Sequence, residues 1–171
     1  MVEETKKKAE KGKAVKKKVD QKIVIDADGL TLGRIASFTA KQALGGKSLV
    51  IFNAEKALVS GKTEYMFKDY KNRYDAKGQA NPNRHGPKRP RDPDRFIRRA
   101  VRGMLPWKKA RGKDAFKRVM TYMGKPVDTI IKEQHVDITK AQITEIPGAK
   151  RHYDYFVTVG ELCKYLGGKN E

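Results

Sequence analysis

Several places in the sequence carry residue types at spacings that could do chemistry. Gly45-Gly46-Lys47-Ser48 and Gly61-Lys62-Thr63 both look like the end of a phosphate-binding loop. That loop reads G-x-x-x-x-G-K-[ST], and its backbone N–H groups cradle phosphates between a strand and a helix. Counting back five residues from Gly46 reaches Lys41, and from Gly61 reaches Lys56, so neither has the opening glycine. The first also follows a helical pattern and precedes a strand-like one, the reverse of the required order. Gly45 and Gly46 read better as a helix stop. A nucleotide-dependent enzyme using Lys47 or Lys62 is kept only as an alternative.

Asp26-Ala-Asp28-Gly29 resembles the start of a calcium loop, but loop position twelve would be Ser37 where a bidentate Glu is required. His85, His135 and His152 are scattered, with no Cys or His at ligand spacing, so no metal site is expected. Cys163 is the one cysteine, which excludes an internal disulfide framework. It lies between Leu162 and Leu166 in a stretch where Thr158 and Glu161 have capping-box spacing. Packing in a short helix explains it better than nucleophilic chemistry. No catalytic residues and no cofactor are expected.

The basic residues give a different signal. The formal charge is +19 and the pI about 10.0. Residues 84–118 hold fourteen Lys and Arg against three acids, which is more than half of the excess. Such an imbalance repels itself, and a polyanionic partner relieves it. Nucleic acid leads over an acidic membrane surface.

This segment divides in three. Pro82, Pro87, Pro90 and Pro93 favour an extended chain that carries Arg84, Lys88, Arg89 and Arg91. Asp92 and Pro93 then open a helix. Phe96, Ile97, Ala100, Val101 and Met104 form its expected buried face, and Arg95, Arg98, Arg99 and Arg102 its opposite face. The only carboxylate four residues from any of these arginines is Asp94, before Arg98. A merely solvated face usually mixes signs, whereas a guanidinium fork suits phosphate oxygens. After Gly103 and Pro106 end the helix, Trp107 comes with Lys108, Lys109, Arg111 and Lys113 in a loop. Trp107 could stack on a base or pack beside the helix end. An irregular basic surface of loop, helix and loop suits folded RNA. A basic DNA-architectural protein is the second alternative.

Around this segment the elements follow from periodicity. "KIVID" and "SLVIF" are continuous apolar runs, as in strands covered on both faces. Between them lies a helix with Leu32, Ile35, Ala36, Thr39 and Ala43 on one face, with Thr31 as its cap. "KALVSG" reads as a third strand of the same parallel sheet, and "RVMTYMG" as a possible fourth. "KTEYMFKDYKNRYD" is helical, with Met66, Phe67, Tyr70 and Tyr74 on one side. Strand, helix, strand with short turns predicts a parallel α/β fold. Residues 1–20 hold eight Lys and four acids with no hydrophobic period. They are a solubilising tail or an arm that orders on RNA. No apolar run approaches the ~20 residues that span a bilayer, and the N-terminus lacks a secretory apolar region. A cytoplasmic protein is expected, with no membrane partner and no small-molecule substrate.

"VIDADGLTLGRIAS" (24–37), "NAEKALVSGK" (53–62) and "VRGMLP" (101–106) together resemble the large-subunit ribosomal protein L-thirteen family of the universal type. "HGPKRPRDPDRF" and "FVTVGELCKYLGG" look like its archaeal and eukaryotic branch. The resemblance spans about residues 22–124. It implies a three-layer α/β/α fold with a four-stranded parallel sheet in the order 3-2-1-4, plus basic extensions. The chain is expected to divide into three parts: a lysine-rich tail (1–21), which is not a hallmark of that family, an RNA-binding core (22–124) that includes 84–118, and a C-terminal extension of short strands and a helix (125–171). The resemblance also implies a structural role on large-subunit ribosomal RNA beside neighbouring ribosomal proteins, without catalysis. The arginine helix and the loop before it would be the RNA-facing part.

Overall fold

The computed structural model describes residues 22–76, 89–136, 143–150 and 153–168. The lysine-rich tail, Arg84 and Lys88 lie outside the described residues. The first half runs β1 (Lys22–Asp26), α1 (Leu32–Leu44), β2 (Ser48–Phe52), β3 (Leu58–Ser60) and α2 (Thr63–Asp75). The second runs α3 (Pro93–Gly103), α4 (Ala110–Lys117), β4 (Val119–Thr121), α5 (Val127–Gln134), β5 (Phe156–Thr158) and α6 (Val159–Tyr165).

β1, β2 and β4 form a three-stranded parallel sheet in that order. Val24 sits opposite Val50, and Val50 opposite Met120. Successive side chains leave a strand on opposite faces. Ile25, Leu49, Ile51 and Val119 therefore enter the main core, which also holds apolar residues of α1, α3 and α6. Val24, Val50 and Phe52 point the other way and pack with Ile130 of α5. Burial on both faces explains why β1 and β2 read as unbroken apolar runs.

α1 is held by the face expected of it: Ile35, Ala36, Thr39 and Ala43 are buried. Gly45 closes it, and Gly46 follows at φ +94° with its N–H donating to the Ala43 carbonyl. Ser48 then begins β2, so "GGKS" is a helix-to-strand turn. Thr31 precedes α1 but its side chain does not cap it. Its hydroxyl donates to the Ala149 carbonyl at 3.0 Å and pairs with the Tyr153 hydroxyl at 3.2 Å. Thr158 does form the expected capping box with Glu161. The Glu161 N–H donates to Thr158 Oγ1 at 3.2 Å, and the Thr158 N–H to Glu161 Oε2 at 3.1 Å.

Two strand expectations change. "RVMTYMG" supplies β4, which joins β2 directly as the third parallel strand. "KALVSG" supplies β3, which leaves that sheet and pairs antiparallel with β5, Ser60 opposite Phe156. The cause is the turn after β2: Asn53 adopts a left-handed conformation (φ 55°) and Ala54–Lys56 make a single 3-10 turn. That redirects the chain before Leu58. A short apolar run declares burial without declaring its partner.

The C-terminal residues join the same core. Val157, Val159, Leu162, Cys163 and Leu166 belong to its main cluster. The four-residue face of α2 is less buried than a core helix face: Met66, Phe67, Tyr70 and Tyr74 are all half-buried.

Candidate nucleic-acid interface

The arginine helix α3 is anchored by Pro93, Phe96, Ile97 and Val101, all buried. Ala100 is half-buried. Met104, expected on this face, is 45% exposed, and Leu105 is buried in its place. The helix ends at Gly103, so Met104 no longer follows the helical period. Thr121 Oγ1 donates to the Asp94 carbonyl at 2.8 Å, which ties the start of α3 to β4. A face locked into the core fixes the direction of the opposite face.

That opposite face presents Arg95, Arg99 and Arg102 to solvent. Arg95 has an ion pair with Asp92 at 3.6 Å, exposed and weak. Arg98 is half-buried. Its guanidinium lies 4.9 Å from the Phe116 ring centroid on α4. Arg98 Nε and Asp94 Oδ1 are both buried with no hydrogen-bond partner among the described residues. The Asp94–Arg98 spacing in sequence therefore does not become a bond between these two atoms.

Trp107 is used for packing. Its ring meets Phe116 edge-on at 5.2 Å, interplanar angle 90°. The Arg102 guanidinium covers it at 4.1 Å. Arg98, Phe116, Trp107 and Arg102 thus make a row of two rings with a cation at each end. Such contacts restrain long side chains that would otherwise lose freedom on binding.

The segment after Trp107 is not the expected loop but α4. "ARGKDAFK" has little apolar character, and Lys109 at its N-cap makes no side-chain cap bond. Tertiary contact holds it: Ala115 is buried, and Gly112 lies so near Pro106 that an added Cβ would be 2.2 Å from the Pro106 carbonyl oxygen. Lys108, Lys109, Arg111 and Lys113 are all exposed. Arg111 Nη2 donates to the Leu44 carbonyl at 3.4 Å, and Arg118 Nη1 to the Ala43 carbonyl at 3.3 Å. Both cations sit at the negative C-terminal end of α1. Arg118 was not singled out from sequence, and nothing in its spacing marks that role.

Before α3, Arg91 is exposed and Arg89 is half-buried. The Arg89 guanidinium lies 5.9 Å from the Tyr74 ring centroid, and its Nε is buried without a partner among the described residues. The Tyr74 hydroxyl donates to the Pro90 carbonyl, joining α2 to the segment before α3. Burial pushes the Tyr74 and Tyr70 phenols above their ordinary range. Arg98 leans toward α4, while Arg99 borders a cavity shared with α2. The arginine stripe therefore links two neighbouring surfaces.

The other chemical candidates have internal uses. Asp26 Oδ1 accepts from Asn53 Nδ2 at 2.7 Å and from the Asp28 N–H at 3.1 Å. The Lys62 ammonium lies 5.9 Å from the Tyr155 ring centroid. Cys163 is fully buried in α6, and burial pushes its thiol up to about 12. That thiol is protonated at neutral pH and unsuited to nucleophilic attack.

A family model described as "Ribosomal protein L13" matches residues 20–128. The Methanocaldococcus jannaschii protein named "Large ribosomal subunit protein uL13" is 41% identical over 146 residues, 85% of this chain and 98% of that protein. The Methanococcus maripaludis protein of the same name is 41% identical over 147 residues, 86% and 98% of the two chains. The Archaeoglobus fulgidus one is 39% identical over 148 residues, 86% and 89%. With the family model covering well over half of its length and archaeal relatives matching along most of it, the chain belongs to the ribosomal protein L13 family.

Proposed function

We propose that this protein is a non-catalytic structural constituent of the large ribosomal subunit, located with the ribosome in the cytoplasm. It holds folded large-subunit ribosomal RNA against the exposed face of α3 and the basic residues on either side. One observation carries this reading: a helix whose apolar face is locked into the core presents arginines along its other face. The names of the archaeal relatives support the ribosomal setting. Neighbouring ribosomal proteins are the other partners.

The contacts assigned to RNA are Arg84, Lys88, Arg89, Arg91, Arg95, Arg98, Arg99, Arg102, Lys108, Lys109, Arg111 and Lys113. They give affinity through counterion release and position the protein without reading sequence. Residues 22–124 serve as the RNA-binding core, 125–171 as an extension packed on it, and 1–21 as a basic tail.

The parallel sheet gains a fourth strand in this reading. Ile143 makes a parallel bridge with Val24, and the Thr144 N–H donates to the Val24 carbonyl at 2.8 Å. A strand at Ile143 on the free edge of β1 is fourth in chain order. With β4, β2 and β1 as third, second and first, it completes the order 3-2-1-4. The helices on both faces then make three layers.

Co-sedimentation tests the ribosomal assignment. The tagged protein, expressed in an archaeal host, should remain with isolated large subunits after a high-salt wash. Recovery only in the soluble fraction would overturn it.

A further inference from the structure

The cavity between α2 and α3 has a composition that the arginine stripe alone does not explain. It encloses about 270 Å³ and is lined by Tyr70, Tyr74 and Phe96, with Arg73, Arg89 and Arg99 among them. Two guanidiniums already lie against rings: Arg73 at 5.5 Å from Tyr70 and Arg89 at 5.9 Å from Tyr74. Among the described residues, only Arg73 of these three is neutralised by an ion pair, with Asp69 at 2.7 Å. Arg89 Nε is buried with no acceptor among the described residues. An unmet donor of this kind costs free energy until an acceptor arrives.

We infer that this cavity receives a single nucleotide extruded from the bound RNA. This rests on the RNA reading above and adds to it a site with a defined occupant. Three features favour a nucleotide. The volume falls just below the roughly 300–1,000 Å³ of drug-sized pockets, which suits one base. Aromatic faces and guanidinium planes are the surfaces on which unstacked bases lie. The cations supply donors for the attached phosphate and for acceptors on the base edge. Arg99 belongs both to the exposed face of α3 and to the cavity wall. RNA lying along the stripe therefore passes the cavity mouth. The Tyr74 hydroxyl is already bonded to the Pro90 carbonyl, so its ring is held in place rather than free to turn.

The site uses Tyr70, Arg73 and Tyr74 of α2, none of which stands out from sequence as a nucleic-acid contact. Losing a base stacked on an aromatic ring should weaken binding by roughly tenfold, about 1.4 kcal/mol.

The test uses a duplex RNA with one bulged 2-aminopurine and the same duplex without the bulge. The full chain should bind the bulged RNA about tenfold more tightly, and the 2-aminopurine fluorescence should change on binding. Tyr74→Ala should abolish both the preference and the fluorescence change. Tyr74→Phe, which keeps the ring, should preserve them. Arg73→Gln, at an exposed position, should reduce the preference severalfold and covers the case in which Tyr74→Ala does not fold. Equal binding of the two duplexes, or a preference unaffected by Tyr74→Ala and Arg73→Gln, overturns the inference. Equal binding with a steep salt dependence leaves the arginine-face reading standing. Failure to bind either duplex overturns both.

Discussion

The Arg102 guanidinium lies 4.1 Å from the Trp107 ring centroid, and Trp107 in turn meets Phe116 edge-on. This relationship joins the C-terminal end of α3 to α4 and holds one of the proposed RNA-facing cations in a fixed direction. A cation over an exposed ring contributes about 0.5–1 kcal/mol, and an aromatic pair about 0.5–1.5 kcal/mol beyond its buried area. Trp107→Leu should therefore lower stability by about 1–2 kcal/mol, a Tm decrease of roughly 2–8 °C. RNA affinity should fall while its salt slope stays unchanged, because Arg102 keeps its charge. Thermal melts and salt titrations check both parts. An unchanged Tm would contradict the packing role.

Gly112 is required by close approach. A Cβ there would sit 2.2 Å from the Pro106 carbonyl oxygen. Gly112→Ala should cost about 1–3 kcal/mol by overpacking and displace α4. Gly33, exposed in α1, provides the contrast: a Cβ there meets nothing within 4 Å. Gly33→Ala should be neutral or stabilising by up to about 1 kcal/mol through helix propensity. Denaturant unfolding of the two variants measures this difference, and equal effects would contradict it.

Burial pushes the Cys163 thiol up to about 12, with Asp92 and Asp94 adding to the rise. The folded state therefore keeps a proton that the unfolded chain releases near pH 9.0. The resulting contribution is complete below that pH and is lost as pH rises toward 12. Tyr122 acts in the same direction, pushed up to about 12 by burial and by its bond to Glu133 at 2.7 Å. Stability should fall from about pH 9 upward. Cys163→Ala should flatten part of that fall, and iodoacetamide at about pH 8, below the thiol's ordinary range, should label Cys163 only after unfolding. Rapid labelling of the folded chain would contradict its burial.

Periodicity made much of this legible. Phe96, Ile97 and Val101 recur at helical spacing with arginines opposite, so both faces of α3 could be read directly. Continuous apolar runs exposed β1 and β2 because each is buried on both sides. β3 could not be placed in the same way, since its partner depends on the left-handed turn at Asn53. α4 was invisible because half of its residues are charged and its helix is held by Pro106, Trp107 and α1. α5 was missed as well, although Val127, Ile130 and Ile131 have helical spacing; it covers the second sheet face through Ile130. The cavity beside α3 depends on Tyr70 and Tyr74 of a helix distant in sequence from Arg89 and Arg99. Only tertiary structure brings those residues together.

The most direct test of the arginine-helix claim is RNA affinity against salt concentration. Wild type should be compared with Arg95→Gln, Arg98→Gln, Arg99→Gln and Arg102→Gln, using a large-subunit ribosomal RNA transcript. Arg95, Arg99 and Arg102 are exposed, so their substitution should leave the fold intact. Wild-type affinity should fall steeply with salt, and each lost phosphate contact should reduce the log–log slope by about 0.7–1. A flat wild-type response, or slopes unchanged from wild type in all four variants, would contradict RNA binding through this face.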